Sequence, residues 1–124
     1  MKKKILIVDD SDDLRKLVVL TLGGVDVEFF EAWDGAGALS LIRDQQPQVL
    51  ILDVAMPGSV NGYQVCSTVK HSPAGASTTV ILLSAGAQQA DFAQGRQAQA
   101  DYYLTKPFSP LQLLELVQRS GVPS

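Results

Sequence analysis

The sequence predicts an α/β domain in which five parallel strands alternate with five helices. Short apolar runs that end in a polar residue recur along the chain, segments with helical periodicity follow them, and short connections join the two. Because strand–helix–strand crossovers are right-handed, the carboxyl ends of all strands would meet at one edge of the sheet. We therefore expect a three-layer (βα)₅ sandwich, with residues 1–124 forming a single domain and no second domain within the chain.

The composition fits one such domain and narrows its function classes. The chain has 124 residues, of which 46% are hydrophobic and 19% charged, a mixture that is typical of globular domains. A net charge of −3 argues against a nucleic-acid surface, and one cysteine excludes an internal disulfide. The sequence shows no signal peptide and no apolar run near the roughly 20 residues of a membrane span. We expect a cytoplasmic protein with no direct nucleic-acid or membrane partner.

The first half of the chain predicts two strands and two helices. The first strand covers residues 5–8 and ends at two acids, and Asp12 and Asp13 then fall in the first turn of a helix, where the helix dipole favours acids. The second strand, residues 25–32, is flanked by acids and is expected near the sheet edge. The apolar positions of the two helices recur at helical spacing: Leu14, Leu17, Val18 and Thr21 in the first, and Gly35, Ala38, Leu39 and Ile42 in the second.

Residues 49–52 form a run of four branched apolar residues, which predicts a central strand buried on both faces. Asp53 follows at its carboxyl end, the edge at which open α/β sheets bind ligands. A third helix should place Gly62, Val65, Cys66 and Val69 on one stripe, so that Cys66 is expected in the core and not as a reactive thiol.

The second half continues the alternation. The fourth strand covers residues 78–83 and ends at Ser84, and a weakly amphipathic helix is predicted over residues 88–98. The fifth strand covers residues 102–105 and ends at Lys106. The last helix has a strong start, with serine at the N-cap, proline at the first position and glutamine at the third: Ser109, Pro110 and Gln112.

The predicted topology gathers Asp9, Asp10, Asp53, Ser84 and Lys106 on one rim of the sheet. Three carboxylates so close together favour a cation between them, and a few oxygen ligands suit Mg²⁺. The set offers a carboxylate nucleophile, a metal site, a lysine and a hydroxyl, but no glycine-rich phosphate loop and no histidine base. Phosphoryl transfer depends mostly on positioning and electrostatics, so the residues indicate a site that forms an aspartyl phosphate.

Four motifs carry a family resemblance. These are the Asp pair at 9–10, LDVAMP at 52–57, LSA at 83–85 and YLTKPF at 103–108. In this order and spacing they resemble the receiver domain of two-component response regulators, and the match spans essentially the whole chain. The resemblance implies a CheY-like, flavodoxin-like fold with the strand order 2-1-3-4-5.

The resemblance also implies a phosphorelay function. Asp53 would accept a phosphoryl group from a histidine kinase or a histidine phosphotransfer protein. Mg²⁺, or Mn²⁺ in its place, would bind Asp10, Asp53 and the backbone carbonyl of Ala55, with Asp9 supporting it mainly through water. Such a domain is not an enzyme for a separate substrate, because it catalyses only its own phosphorylation and a slow dephosphorylation. Dephosphorylation is expected to be slow because Ala55 and Gly86, beside the attacking water, carry no polar side chain.

The remaining implied roles concern signalling. Lys106 would pair with the phosphoryl group, Ser84 would donate a hydrogen bond to it, and Tyr103 would be the aromatic switch that follows Ser84. The partner surface would be the face made by the fourth helix, the fifth strand and the fifth helix, although the sequence does not identify the downstream partner. The Lys106–Pro107 peptide is expected to be cis.

The sequence departs from the family pattern in two places and leaves rival functions open. The loop from Met56–Pro57 to Gly62 is one residue longer than the common family form. Gln99 stands where glycine is usual, which would cost on the order of 1 kcal/mol if the position is left-handed. Trp33 is expected to be half-buried in its loop, with a partner anchor as the alternative. The rivals are a pseudo-receiver that is not phosphorylated, a flavodoxin-type flavin binder, and a haloacid-dehalogenase-type phosphatase, which would need an acid where Ala55 stands.

Overall fold

The computed structural model describes residues 3–23, 27–55, 58, 60–73, 75, 77–84 and 98–120. The predicted fourth helix at 88–98 lies outside the described residues except for Ala98, and so does Gly86. The strands are β1 (Lys3–Val8), β2 (Val27–Ala32), β3 (Val49–Asp53), β4 (Thr79–Ser84) and β5 (Tyr102–Thr105). The helices are α1 (Asp12–Leu22), α2 (Gly35–Gln45), α3 (Gly62–Lys70) and a last helix, Pro110–Arg119.

The five strands form one parallel sheet in the order β2-β1-β3-β4-β5. The predicted order is therefore confirmed, with β3 at the centre and β2 at an edge. Val49 pairs with both Ile5 and Thr79, which fixes the register of the three inner strands. All five residues of β3 are buried, as its apolar run predicts for a strand covered on both faces.

Alternate residues of the strands point to opposite faces of the sheet and build two apolar clusters, which confirms the three-layer arrangement. One face packs against α2 and α3, and the other packs against α1 and the last helix. The first cluster includes Leu6, Val8, Leu50, Leu52, Val80, Leu82, Ala38, Val65, Cys66 and Val69. The second includes Ile5, Ile7, Val49, Ile51, Ile81, Leu83, Val18, Leu22, Leu113 and Val117.

Each described helix begins at a side chain that accepts a hydrogen bond from the backbone of its first turn. Ser11 caps α1, Asp34 caps α2, Asn61 caps α3 and Ser109 caps the last helix. The last helix has the complete capping box that its sequence predicts, with proline in its first turn. Such caps are typically worth about 1 kcal/mol each.

The predicted inner face of α1 is partly wrong. Val18 is buried, but Leu17 is 42% exposed, and the buried stripe consists of Arg15, Val18 and Leu22. These three positions also have helical spacing, i, i+3 and i+7. The stripe was not recognised as buried because it contains an arginine, a residue that is rarely buried unless it is paired.

The amino end of α3 lies very close to the end of β3, and Gly62 permits this approach. Its backbone N–H donates to the carbonyl of Val54 at 3.1 Å. A Cβ at this position would lie 2.2 Å from the backbone oxygen of Asp53, so a larger residue would push the helix and the strand apart. Gly62 thus sets the distance between α3 and the strand end that carries Asp53.

The structure answers the question that the sequence left open at Gln99 and confirms two predictions about other single positions. Gln99 has a φ of +66°, which is the left-handed conformation that favours glycine. The Lys106–Pro107 peptide is cis. Cys66 is fully buried, and its thiol donates to the carbonyl of Ala98 at 3.4 Å.

No helix among the described residues is long and apolar enough to cross a membrane.

Candidate functional site

Three carboxylates meet where β1 and β3 end. Asp9 and Asp10 follow β1, Asp53 is the last residue of β3, and one carboxylate oxygen of each lies within 4.8 Å of the others. Because β1 and β3 are parallel neighbours, their ends fall at the same edge of the sheet. Asp9 and Asp53 are 0% and 4% exposed, whereas Asp10 is exposed to solvent.

Lys106 joins two of these acids. Its Nζ lies 2.8 Å from Oδ2 of Asp9 and 3.3 Å from Oδ2 of Asp53. The backbone of Lys106 is held beside β4, because its N–H donates to the carbonyl of Ser84 at 2.6 Å. The lysine therefore reaches across the carboxyl edge from the end of β5 to the ends of β1 and β3.

Backbone groups fix the two buried carboxylates. Oδ1 of Asp9 accepts from the N–H of Ser11 at 2.9 Å, and Oδ1 of Asp53 accepts from the N–H of Ala55 at 3.1 Å. In each case the donor lies two residues after the acid, at the point where the chain turns away from its strand. The backbone N–H of Asp9 also donates to the carbonyl of Ala32 at 3.2 Å. A backbone donor thus fixes one oxygen of each buried carboxylate.

Burial dominates the electrostatics of the site. Burial raises the pKa of Asp53 and the Asp9 charge raises it further, while the Ala55 N–H and Lys106 act in the lowering direction without reversing the shift. Burial alone would lower the pKa of Lys106, but its hydrogen bond to Asp9 and the charge of Asp53 raise it overall. Lys106 is therefore an ammonium at neutral pH.

The charge count of the cluster fits a divalent cation. Three carboxylates and one ammonium leave two negative charges in a site where two of the acids are almost fully buried. Like charges so close are costly without a compensating cation. Hard oxygen ligands of this number suit Mg²⁺ or Mn²⁺, which retain waters and share their shell with a phosphate.

The remaining predicted site residues lie on the same edge or next to it. Ser84 ends β4 and is 2% exposed, one residue beyond Leu83, which pairs with Asp53. Tyr103 lies on β5 opposite Leu82, partly buried, and its hydroxyl is 3.4 Å from that of Tyr63 on α3. The structure thus brings Asp9, Asp10, Asp53 and Lys106 into one cluster and places Ser84 and Tyr103 on the adjoining strands. The implied metal contact of the Ala55 carbonyl stays a prediction.

Sequence reasoning missed Arg15 and misjudged Trp33. The guanidinium of Arg15 is buried beside the site and donates to the backbone carbonyl of Asp9 at 2.5 Å. The signal was available in the spacing of Arg15 from Val18 and Leu22 on α1. Trp33 is 64% exposed, not half-buried, because its short loop between β2 and α2 leaves the ring outside both apolar clusters.

The chain resembles known proteins along almost its whole length. It is 39% identical to the protein PilG of Pseudomonas aeruginosa over 121 residues, which cover 98% of this chain and 88% of PilG. Other curated relatives are longer: the chain spans 42% of the probable transcriptional regulator ycf27 of Guillardia theta and 51% of the DNA-binding response regulator MtrA of Mycolicibacterium paratuberculosis.

Solved structures show the same fold. The chemotaxis response regulator CheY4 of Vibrio cholerae superposes with a TM-score of 0.87 at 31% identity, covering 97% of this chain and 99% of CheY4. The BeF₃-activated receiver domain of DrrB from Thermotoga maritima has a TM-score of 0.83 at 34% identity, with 97% of both chains covered. The fold is therefore CheY-like.

The family model of the response regulator receiver domain matches residues 5–118, a span that includes both strand ends of the acidic cluster and Lys106. This match sets aside the flavin-binding and phosphatase alternatives. Together with the acidic cluster at the carboxyl edge of a 2-1-3-4-5 sheet, it shows that the chain belongs to the receiver domain family of two-component response regulators.

Proposed function

We propose that this chain is a phosphorylation-dependent signalling switch whose phosphoacceptor is Asp53. Phosphorylation by histidine kinases is general for receiver domains, and so is a divalent metal at the acidic pocket. The observation that supports the assignment most strongly is the contact of one lysine with two acids: Lys106 Nζ lies between Asp9 and Asp53, at 2.8 and 3.3 Å from their carboxylates. The phosphoryl donor would be a phosphohistidine of a histidine kinase or of a histidine phosphotransfer protein.

In the proposed transfer, a carboxylate oxygen of Asp53 forms a bond to phosphorus as the bond between phosphorus and the donor imidazole nitrogen breaks. The released imidazole keeps the electron pair of the broken bond and takes up a proton. The backbone N–H of Ala55 orients Asp53 by holding one of its two oxygens, which leaves the other toward Lys106. Lys106 would then move from the carboxylate to the phosphoryl oxygens, and the Ser84 hydroxyl would donate to them.

The proposed metal is Mg²⁺, with Mn²⁺ as a substitute. Asp10, Asp53 and the backbone carbonyl of Ala55 would hold it, and Asp9 would support it mainly through water. When bound, the metal supplies positive charge that offsets the negative charge of the acids and of the incoming phosphoryl group. The chain itself contributes two carboxylates that are already fixed by backbone N–H groups, so little reorganisation is needed on binding.

The proposed activity is limited to the chain's own phosphorylation and a slow loss of the phosphoryl group, without a separate substrate. Ala55 supports the slow loss because its methyl group cannot orient water. The proposed partners are proteins and not nucleic acid or membrane, consistent with the net charge of −3. The proposed location is the cytoplasm, which the single cysteine supports.

The proposed output runs through Ser84 and Tyr103 to the face formed by the predicted fourth helix, β5 and the last helix. Supporting this, Ser84 and Tyr103 lie on paired strands next to the phosphoacceptor. Tyr103 also packs against the apolar cluster that contains Ala98, the last residue of the predicted fourth helix. Hydrogen exchange with and without beryllofluoride should differ most across residues 85–105. A response confined to α1 and α2 would contradict this output face.

The test of the proposed function is phosphorylation by acetyl phosphate with Mg²⁺, followed by intact-mass spectrometry. The parent chain should gain one phosphoryl group, and Asp53→Asn should gain none. Asp44→Asn is the matched control, because Asp44 is an exposed acid on α2 that pairs only with the neighbouring Arg43 in the contacts described. No phosphorylation of the parent chain would favour the pseudo-receiver alternative and contradict the proposal.

A further inference from the structure

A buried arginine beside the acidic cluster has no part in the proposed transfer. Arg15, on α1, is 8% exposed. Its Nη1 donates to the backbone carbonyl of Asp9 at 2.5 Å, its Nε donates to Glu31 at 3.1 Å, and its Nη2 contacts Asp12. These partners lie in the turn after β1, in β2 and in the first turn of α1, so one guanidinium ties three segments together.

The carbonyl of Asp9 belongs to the peptide bond that joins Asp9 to Asp10. The orientation of this peptide plane sets the direction in which the Cα of Asp10 leaves the turn. Asp10 is exposed, so packing does little to fix its side chain. The position of its carboxylate relative to Asp53 therefore depends on the backbone that Arg15 holds.

The two cationic side chains near the site, Lys106 and Arg15, contact different groups. Lys106 contacts the carboxylates of Asp9 and Asp53, whereas the described contacts of Arg15 are to the backbone of Asp9 and to two acids outside the cluster. Pairing with Asp12 and Glu31 satisfies the guanidinium and keeps it directed at the Asp9 carbonyl. A forked guanidinium can meet three acceptors at fixed angles, which a lysine ammonium on a flexible stem cannot do equally well.

We propose that Arg15 is a positioning residue for the divalent cation site, acting through the Asp9–Asp10 peptide. This inference rests on the proposed function, since it concerns the metal that the phosphotransfer requires. Arg15 does not touch the metal or the phosphoryl group. It fixes the turn from which Asp10 reaches the site.

Charge and geometry predict opposite effects when Arg15 is replaced. A positive charge beside the site repels a divalent cation, so removing that charge alone would strengthen Mg²⁺ binding. Loss of a group that orients a metal ligand typically weakens metal affinity about 10- to 100-fold. We therefore expect Arg15→Met, which removes the charge, and Arg15→Lys, which keeps it, both to bind Mg²⁺ about tenfold more weakly than the parent chain.

The experiment is a Mg²⁺ titration of the full chain, followed by the NMR shifts of the backbone amides around Asp9 and Asp53. Arg43→Met is the surface control, because Arg43 is 75% exposed and pairs with its neighbour Asp44. Gly75→Ala is the stability control, because it introduces a backbone clash far from the site. Both controls should keep the parental Mg²⁺ affinity, and the amide spectra report whether each variant is folded.

The proposal is overturned if Arg15→Met binds Mg²⁺ at least as tightly as the parent chain. It is also overturned if Arg15→Lys has the parental Mg²⁺ affinity. If Arg15→Met does not fold, Arg15→Lys decides, since it keeps the charge and most of the packing. If the parent chain binds Mg²⁺ and is phosphorylated, and the Arg15 variants bind Mg²⁺ equally well, only the proposed role of Arg15 is refuted. A parent chain that does neither would refute the proposed function and this inference together.

Discussion

Substituting Gly62 by alanine should disturb the phosphoacceptor from outside the acidic cluster. Gly62 is the first residue of α3, and its N–H is bonded to the carbonyl of Val54, the residue after Asp53. An alanine Cβ at this position would lie 2.2 Å from the backbone oxygen of Asp53 and 2.6 Å from the Cα of Val54. Both atoms belong to the backbone, so a change of side-chain rotamer cannot relieve the contact.

The size of the required movement follows from these distances. Real Cβ contacts essentially never fall below 3.0 Å, so the gap to the Asp53 oxygen must grow from 2.2 Å by at least 0.8 Å. Overpacking of this kind typically costs about 1–3 kcal/mol of stability. A displacement of about 1 Å at a reacting group can lower the rate about a hundredfold. We expect Gly62→Ala to show both effects.

The assay compares two alanine variants for stability and for the rate of phosphorylation by acetyl phosphate and Mg²⁺. The control is Gly75→Ala. Gly75 follows the carboxyl end of α3, away from the acidic cluster, and a Cβ there would lie 2.5 Å from the backbone oxygen of Val69. Urea unfolding should show a loss of stability in both variants. Only Gly62→Ala should also lose phosphorylation rate.

Two outcomes would refute this reasoning. A folded Gly62→Ala chain that is phosphorylated at the parental rate would show that the approach of α3 does not set the geometry of Asp53. An equal loss of rate in Gly75→Ala would show that reduced stability alone accounts for the effect.

Three other perturbations follow from single residues. Asp10→Asn should weaken Mg²⁺ binding markedly because it removes a carboxylate from the cluster, whereas Asp44→Asn, at an exposed acid on α2, should have little effect. Equal effects in a Mg²⁺ titration would contradict the proposed ligand set. Burial raises the pKa of the Cys66 thiol to about 12. Iodoacetamide at a pH of about 8.5 should therefore modify Cys66 in urea but not in the folded chain, and rapid labelling of the folded chain would contradict the buried position. Gln99→Gly should raise the free energy of unfolding by up to about 1 kcal/mol, because glycine adopts a φ of +66° without a steric penalty from a Cβ atom. If urea unfolding shows that the variant is less stable than the parent chain, the backbone at Gln99 is not strained.

The parts of the fold that depend on strong local patterns could be predicted from the sequence. The buried run of β3 and the capping residues of the last helix each have one physical interpretation, and the structure agrees with them. Right-handed crossovers then place Asp9, Asp53 and Lys106 on one edge without any knowledge of side-chain contacts. The strand order came from the family resemblance, since alternation alone does not give the order of strands in a sheet.

The details that the sequence could not predict depend on competition between neighbouring elements. The spacing of Arg15 from Val18 and Leu22 indicates that it lies on the inner face of α1, but no local pattern reveals its acceptor Glu31, which lies 16 residues away in β2. Whether Trp33 is buried depends on how closely its loop packs against α2, and its ring is left exposed. The bridge from Lys106 to both Asp9 and Asp53 likewise required coordinates, because the sequence gives the edge but not the distances.

The identity of the phosphorylated residue tests the central claim most directly. After reaction with acetyl phosphate and Mg²⁺, borohydride reduction converts an aspartyl phosphate to homoserine, which peptide sequencing by mass spectrometry locates. We predict homoserine at position 53 and at no other aspartate of the parent chain. Homoserine at Asp9 or Asp10, or none at position 53 in a chain that has gained a phosphoryl group, would contradict the assignment of Asp53 as the phosphoacceptor.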